Sequence, residues 1–327
     1  MKNIFETQFA GLNLSNPIII ASSGLTNTAE KNKELEKAGV GAVVLKSLFE
    51  EQISQKAGTL LMESDYPEAH DYILNYLKTN EVNNYLKLIQ ETKAICRIPV
   101  IASVNCYKDD SWIDFAHQIE MAGADALELN IFALNTDLAE EGNNKLEKAY
   151  IRITQKVKET IHIPVIIKMS KYFSQPIKLV NDLDASGADG IVLFNRFYQY
   201  DIDLNKLQMT SGHVFSSHTD ICDTLRWTGI ISGKLPHVNI AASTGIHDWE
   251  AIIKCILSGA SVVQLCSTIY QHGNEIIPQI KRSMEEWMQT FNFTSLRDFQ
   301  GKLNYAQIED PSLYERIQFM RYFSNRD

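Results

Sequence analysis

The sequence predicts a single (β/α)8 barrel domain over residues 1–327, with a short N-terminal hairpin, on three observations. Eight short apolar runs recur along the 327 residues, stretches of helical spacing separate them, and polar residues collect where the runs end. Each run is rich in Val, Ile or Leu without clean alternation, the pattern of parallel strands covered on both sides.

Residues 1–16 read as a hairpin, with Ala10-Gly11 or Asn13 at its turn, closing the barrel bottom. The first run, Pro17–Ala21, leads into Ser22-Ser23-Gly24, and the second, Gly41–Lys46, into Ser47. The third, Pro99–Val104, is followed by Cys106, and the fourth, Ala124–Asn130, ends on an asparagine. The fifth, Pro164–Lys168, ends on a lysine, and the sixth, Gly190–Asn195, on Asn195 followed by Arg196. The seventh, Val238–Ala242, leads to Ser243-Thr244-Gly245, and the eighth, Ser261–Cys266, to Ser267-Thr268. Between runs, Ile113, Ala116, Ile119 and Met121-Ala122 recur near helical spacing. Glycines 39, 123, 187 and 259 stand between a helical stretch and the next run, where a left-handed cap ends a helix. Phe49–Asn80 and Arg196–Thr219 are long for loops, and both fall on the face where barrel enzymes keep lids and substrate loops.

The formal net charge of −9 argues against a nucleic-acid partner. Five cysteines with no C-x-x-C pair exclude the common zinc and iron–sulfur spacings, so no metal is expected. Reduced thiols, no apolar leader at the N-terminus and no apolar run near the ~18 residues of a membrane span predict a cytoplasmic protein without a membrane partner.

The strand ends carry the candidate chemistry. Loops after the last two strands of such barrels form a phosphate pocket; Thr244 and Gly245 offer backbone N–H groups there, and Ser267 and Thr268 offer hydroxyls. Lys46 and Lys168 end apolar strands; a lysine there is either solvated, capping its strand, or held over an anion, and either one would serve as the cation that a reduced, anionic flavin ring needs.

These residues resemble a known family. Asn16-Pro17 through Ser22, Glu34 through Gly39, and Leu45-Lys46-Ser47 look like the opening of soluble dihydroorotate dehydrogenases. Gly123 through Asn130 is similar to the strand leading into their catalytic loop. Ser258 through Ser267 resembles the last strand of the FMN barrel of dihydropyrimidine dehydrogenase, and Phe299 through Leu303 that group's tail. The resemblance covers residues 9 to about 305. It implies FMN as cofactor, held by Ala21, Ser22, Lys46, Ser47, Asn130, Lys168, Asn195, Ser217, Thr244, Gly245, Cys266 and Ser267. It also implies a small-molecule substrate reached by Asn130, Asn135 and Asn195, and a homodimer.

The sequence departs from the family at two places. The catalytic loop Asn-x-Ser-Cys-Pro-Asn reads here Asn130-Ile131-Phe132-Ala133-Leu134-Asn135, so the cysteine base of the soluble enzymes falls on Ala133. Loss of a general base costs about 10²–10⁴-fold in rate. The Asn-x-Met-Gly-x-x-Asn clamp is replaced by a stretch around Met62 through Glu68, whose Glu63, Asp65 and Glu68 would repel a carboxylate. The phosphate pocket also has Ser243-Thr244 where glycine is common, and Ser217 where glycine is expected. Replacement bases are Cys106, His213, His218, Tyr107 and Lys46; for Cys106 the commoner role of such a residue is a small buried hydrophobe.

Three readings stay open. One is an FMN-dependent oxidoreductase acting on a CH–CH or C=C bond of a small pyrimidine-like ring. Another is a working dihydroorotate dehydrogenase with a different base. The last is a catalytically silent flavin-binding or subunit protein. With no iron–sulfur relay, and no Gly-x-Gly-x-x-Gly after a strand, electrons leave through a separate acceptor or partner subunit.

Overall fold

A computed structural model describes residues 3–49, 69–105, 111–131, 145–197 and 199–315. The N-terminal hairpin is β1 (Thr7–Phe9) and β2 (Leu12–Leu14), turning at Ala10-Gly11. Of the two turn positions expected, Asn13 instead lies within β2, paired with Gln8.

The barrel strands are β3 (Ile18–Ile20), β4 (Ala42–Val44), β6 (Val100–Asn105), β7 (Ala126–Asn130), β8 (Val165–Met169), β9 (Gly190–Leu193), β12 (Ile240–Ser243) and β13 (Val262–Leu265). All eight sit within the predicted runs or within a residue of them. They pair in parallel, and the ring closes through β3–β13 and β4–β6; β5 (Leu48–Phe49) resumes the second strand beside β6. The helices are α1 (Ala29–Ala38), α2 (Ala69–Ile95), α3 (Ser111–Met121), α4 (Lys145–Thr160), α5 (Pro176–Ala185), α6 (Ile221–Lys234), α7 (Trp249–Leu257), α8 (Ser267–His272), α9 (Ile276–Thr290) and α10 (Ser312–Glu315).

Two expected loops are corrected. Of Phe49–Asn80, the part from Ala69 belongs to α2, and residues 50–68 lie outside the described residues. Arg196–Thr219 carries an antiparallel hairpin, β10 (Tyr200–Asp203) and β11 (Gln208–Ser211). Its Ile202 faces Met209, and polar partners alternate with them, a period-two pattern hidden inside a segment read as loop.

A repeated side-chain device sets the strands in register. The Asp125 carboxylate at the start of β7 accepts from the Val100 N–H (2.7 Å) and Lys93 Nζ (2.7 Å). Asp189, before β9, does the same to Val165 N–H (2.7 Å) and Lys158 Nζ (2.8 Å). Glu36 and Glu120, near the ends of α1 and α3, each accept from the two backbone N–H groups that precede a later strand. These clamps satisfy donors that strand ends leave open.

Period-two geometry sorts the strand residues between two cores. Outward side chains such as Ile20, Val43, Ala102, Leu127, Ile167 and Val263 pack under the helices. Inward ones, Ile19, Ala42, Ile101, Ala126, Ile166, Val192, Ala241 and Val262, form a second cluster capped by Phe9, Ala10 and Leu14 of the hairpin. The hairpin therefore closes the bottom, and Thr7 Oγ1 ties it to the Ser261 carbonyl (3.0 Å). Both faces being apolar at this level explains the lack of alternation in sequence.

Candidate active site

One step up from the lower cluster, the inward positions turn polar. On β8 Lys168 follows Ile166, on β7 Glu128 follows Ala126, on β13 Gln264 follows Val262, and on β6 Ser103 follows Ile101. Glu128 is fully buried and Lys168 is 6% exposed. Gln264 stands between them: its Oε1 accepts from Lys168 Nζ (2.8 Å) and its Nε2 donates to Glu128 Oε2 (2.6 Å). Lys168 Nζ lies 3.8 Å from Glu128 Oε1. A cation and an anion taken this far from water persist only when paired and hydrogen-bonded.

Above this network lies a cavity of about 360 Å³. Lys168, Arg196 and His213 line it, and no carboxylate does so among the described residues. For a chain of net charge −9, that is a local reversal of sign. Ala21, Ser22, Asn195, Thr244, Gly245, Cys266 and Ser267, all named in the sequence as candidate site residues, line it too. Asn195 Nδ2 donates to Asn130 Oδ1 (2.7 Å), which joins the two strand-end asparagines. Burial pushes the Cys266 thiol pKa up, so it stays protonated near neutral pH.

At one end of the cavity Gly245 has φ +80°, and a Cβ there would stand 2.2 Å from the Ile221 N at the start of α6. Only glycine brings the backbone this close to a helix start. Ser216, rather than the expected Ser217, completes this end. Its N–H and hydroxyl reach Ser267 Oγ (3.0 and 3.1 Å), and its Oγ lies 3.0 Å from His247 Nε2. Ser217 is exposed and is used locally, its N–H donating to Asp220 Oδ2 (2.7 Å). Burial, then the neighbouring His218, lowers the His247 pKa.

Lys46 is exposed and does not line the cavity. Regular pairing of β4 stops at Val44, the backbone diverts to bond Thr26, and Ser47 turns inward to Ser22 and Ser103. Of the two candidate lysines, the structure brings Lys168 to the cavity. Cys106, Tyr107, Ala133 and Asn135 lie outside the described residues, as does the Met62–Glu68 stretch. Of the loop histidines, His213 lines the cavity; His218 is exposed and sits 3.5 Å from Asp248.

Arg196, Ser103, Glu128, Gln264, Ser216 and His247 carry no role in the sequence reading. For Glu128, Gln264 and Ser103 the usable signal is a polar residue two positions beyond a small or apolar inward one on a buried strand. Arg196 donates to the carbonyls of His213 and Val214 (2.8 and 2.7 Å) and so pins the return limb that carries Ser216.

The cavity suits FMN on these observations: a buried cation, no carboxylate among its described lining residues, and a close-approach glycine with hydroxyls at one end. Among the described residues no cluster of His, Cys, Asp and Glu is placed to hold a metal ion, and no helix is long and apolar enough to cross a membrane.

Comparison with known proteins gives consistent matches. The sequence model of the family described as dihydroorotate dehydrogenase matches residues 4–288. The "Dihydroorotate dehydrogenase B (NAD(+)), catalytic subunit" of Thermoplasma volcanium is 26% identical over 322 residues, covering 90% of this chain and 97% of the relative. The protein of the same name from Pyrococcus horikoshii is 23% identical over 308 residues, covering 92% and 98%. Another of that name, from Methanosarcina acetivorans, is 24% identical over 305 residues, covering 89% and 93%.

Proposed function

This chain belongs to the dihydroorotate dehydrogenase family, and from that premise we propose that it is an FMN-dependent oxidoreductase. Its substrate is a small pyrimidine-like ring, oxidised or reduced at a CH–CH or C=C bond. The observation that carries the reading is the cavity that sets buried Lys168 against no carboxylate among its described lining residues. The bound flavin supplies the two-electron acceptor.

The chain's own residues do the rest. Thr244, Gly245, Ser267 and Ser216 would hold the phosphate with N–H and O–H donors. Lys168, fixed by Gln264, would hold its charge against the ring and stabilise negative charge arriving there. Asn130 and Asn195, already bonded to each other, would turn their remaining donors and acceptors to substrate carbonyls. Ala21, Ser22 and Cys266 would line the ring.

Alanine at 133 is the reason ordinary dihydroorotate oxidation is expected to be weak. The competing reading, a working dihydroorotate dehydrogenase with another base, is favoured by the names of the relatives. Those names also motivate a partner subunit as electron acceptor, with this chain as a homodimer at the centre; light scattering of the protein alone and with a candidate partner measures both.

The deciding experiment is anaerobic. The purified protein should show a flavin absorbance band that photoreduction bleaches. Dihydroorotate should leave that band largely oxidised in the wild type and bleach it in the Phe132→Ser/Ala133→Cys variant. A colourless protein that does not take up FMN overturns the cofactor reading. Fast bleaching of the wild type by dihydroorotate selects the competing one.

A further inference from the structure

The polar network under the cavity extends beyond Lys168. Ser22, on the cavity wall, lies 2.9 Å from Ser47 through their hydroxyls. Ser47 Oγ lies 2.7 Å from Ser103 Oγ, and Ser103 Oγ reaches Glu128 Oε1 at 3.4 Å. Four side chains carried by four neighbouring barrel strands or the residues just after them thus form an unbroken line from the cavity to a buried carboxylate.

Its polarity follows from hydrogen-bond rules. An ionised carboxylate only accepts, so Ser103 donates to Glu128. Ser103 has one proton, so it accepts from Ser47, and Ser47 in turn accepts from Ser22. The Ser47 N–H, 2.7 Å from Ser22 Oγ, is compatible with that sense, because it occupies one lone pair of that oxygen and leaves the other open. The relay therefore presents to the cavity an oxygen whose own proton points inward.

We propose that Glu128 is a proton reservoir for this cavity, filled through Ser22, Ser47 and Ser103. The step is an acid–base transfer. A bond to hydrogen breaks at the group facing Ser22, its electron pair stays behind, and an O–H bond forms on Glu128. Each serine gives one proton and receives one. Glu128 becomes neutral, and Lys168, released from its buried partner, is left to pair with the negative charge in the cavity. The buried charge is conserved throughout, which a low-dielectric site requires.

The titratable groups described against Glu128 are Lys168 and Tyr85. Tyr85 is not a competing outlet: its hydroxyl donates to the Ser103 carbonyl (2.9 Å) and accepts from the Ser103 N–H (2.7 Å). Burial and the nearby Glu128 also push its pKa up. The relay supplies a proton acceptor in a chain whose position 133 has none.

The proposal rests on the flavin reading, and the test separates the two. The FMN-loaded protein is titrated potentiometrically over a range of pH. With no donor bound in the cavity the reservoir fills from solvent, so reduction of the wild type should take up about one proton more per electron pair than reduction of Glu128→Gln, read from the pH dependence of the midpoint potential. An equal uptake overturns the reservoir. If Glu128→Gln does not fold, the wild type alone decides: its reduced-minus-oxidised infrared difference spectrum should gain a band of a protonated buried carboxyl, and absence of the band overturns the proposal. Ser103→Ala should keep the extra proton but slow its arrival about 10²-fold, and an unchanged rate overturns the relay. A protein that binds no flavin fails the functional reading instead.

Discussion

At the bottom of the barrel the inward side chains are Ile19, Ala42, Ile101, Ala126, Ile166, Val192, Ala241 and Val262, sealed by Phe9. Two residues further along the same strands they include Ser103, Glu128, Lys168, Ser243 and Gln264. Backbone pairing is the same at both levels, and burial is nearly complete at both. What differs is the source of order. The lower level is held by contact area, so its residues are exchangeable among apolar shapes. The upper level is held by a fixed set of donors and acceptors, each satisfied only by its neighbours. Burial thus marks both the part of a barrel that makes it stable and the part that makes it reactive.

Single truncations separate the two levels most clearly. Glu128→Ala leaves buried Lys168 without its counter-charge and Gln264 Nε2 without its acceptor, and should cost about 3–5 kcal/mol in chemical denaturation. Phe9→Ala should cost a similar ~3–5 kcal/mol by cavity formation, but leave FMN affinity unchanged. The two levels then lose the same stability and only one loses function. Next comes the combined replacement Glu128→Leu, Lys168→Met and Gln264→Leu. If the upper level is ordered for chemistry rather than stability, this variant should gain about 1–4 kcal/mol while losing FMN affinity. A loss of stability would show that the network also holds the barrel together.

Gly245→Ala is the following step. A side chain at φ +80°, pressed on Ile221, should cost about 1–3 kcal/mol and weaken FMN binding measured by fluorescence quenching. The smallest effect is with pH. His247 has a native pKa below its unfolded one, so below the ordinary imidazole range the unfolded chain binds more protons. Its contribution to stability is present above that range and is lost as pH falls from the ordinary pKa through the lowered one. His247→Gln should flatten the acid limb of a plot of stability against pH; an unchanged limb would mean that other groups set it.

The sequence made the barrel legible because βα units repeat visibly: eight apolar runs and four glycines at φ between +93° and +115° ending helices. It made Lys168 legible because a lysine ending an apolar strand has few places to go. Lys46 reads as equivalent, yet it lies in the break between Val44 and Leu48 and is exposed, and no local pattern announces that break. Ser216, one position before the expected Ser217, lines the cavity, and the sequence does not show which of the two does so because loop register depends on the Arg196 clamp from another segment. Glu128 and Gln264 were hidden by their own strands: amid apolar neighbours, one polar residue reads as noise until partners from 136 residues away are in view.

The hairpin at the bottom has a consequence for biosynthesis. Residues 7–14 leave the ribosome well before their partners, for Thr7 bonds Ser261, 254 positions on, and β3 closes the ring by pairing Ile18 with Val263. A nascent chain short of that point holds an open barrel with two unpaired edges and an uncovered Phe9. Such edges and apolar surface are what aggregation and chaperones both seek. The hairpin and β3 must wait for β13, so in this chain the seal on the barrel bottom also times the closing of the ring.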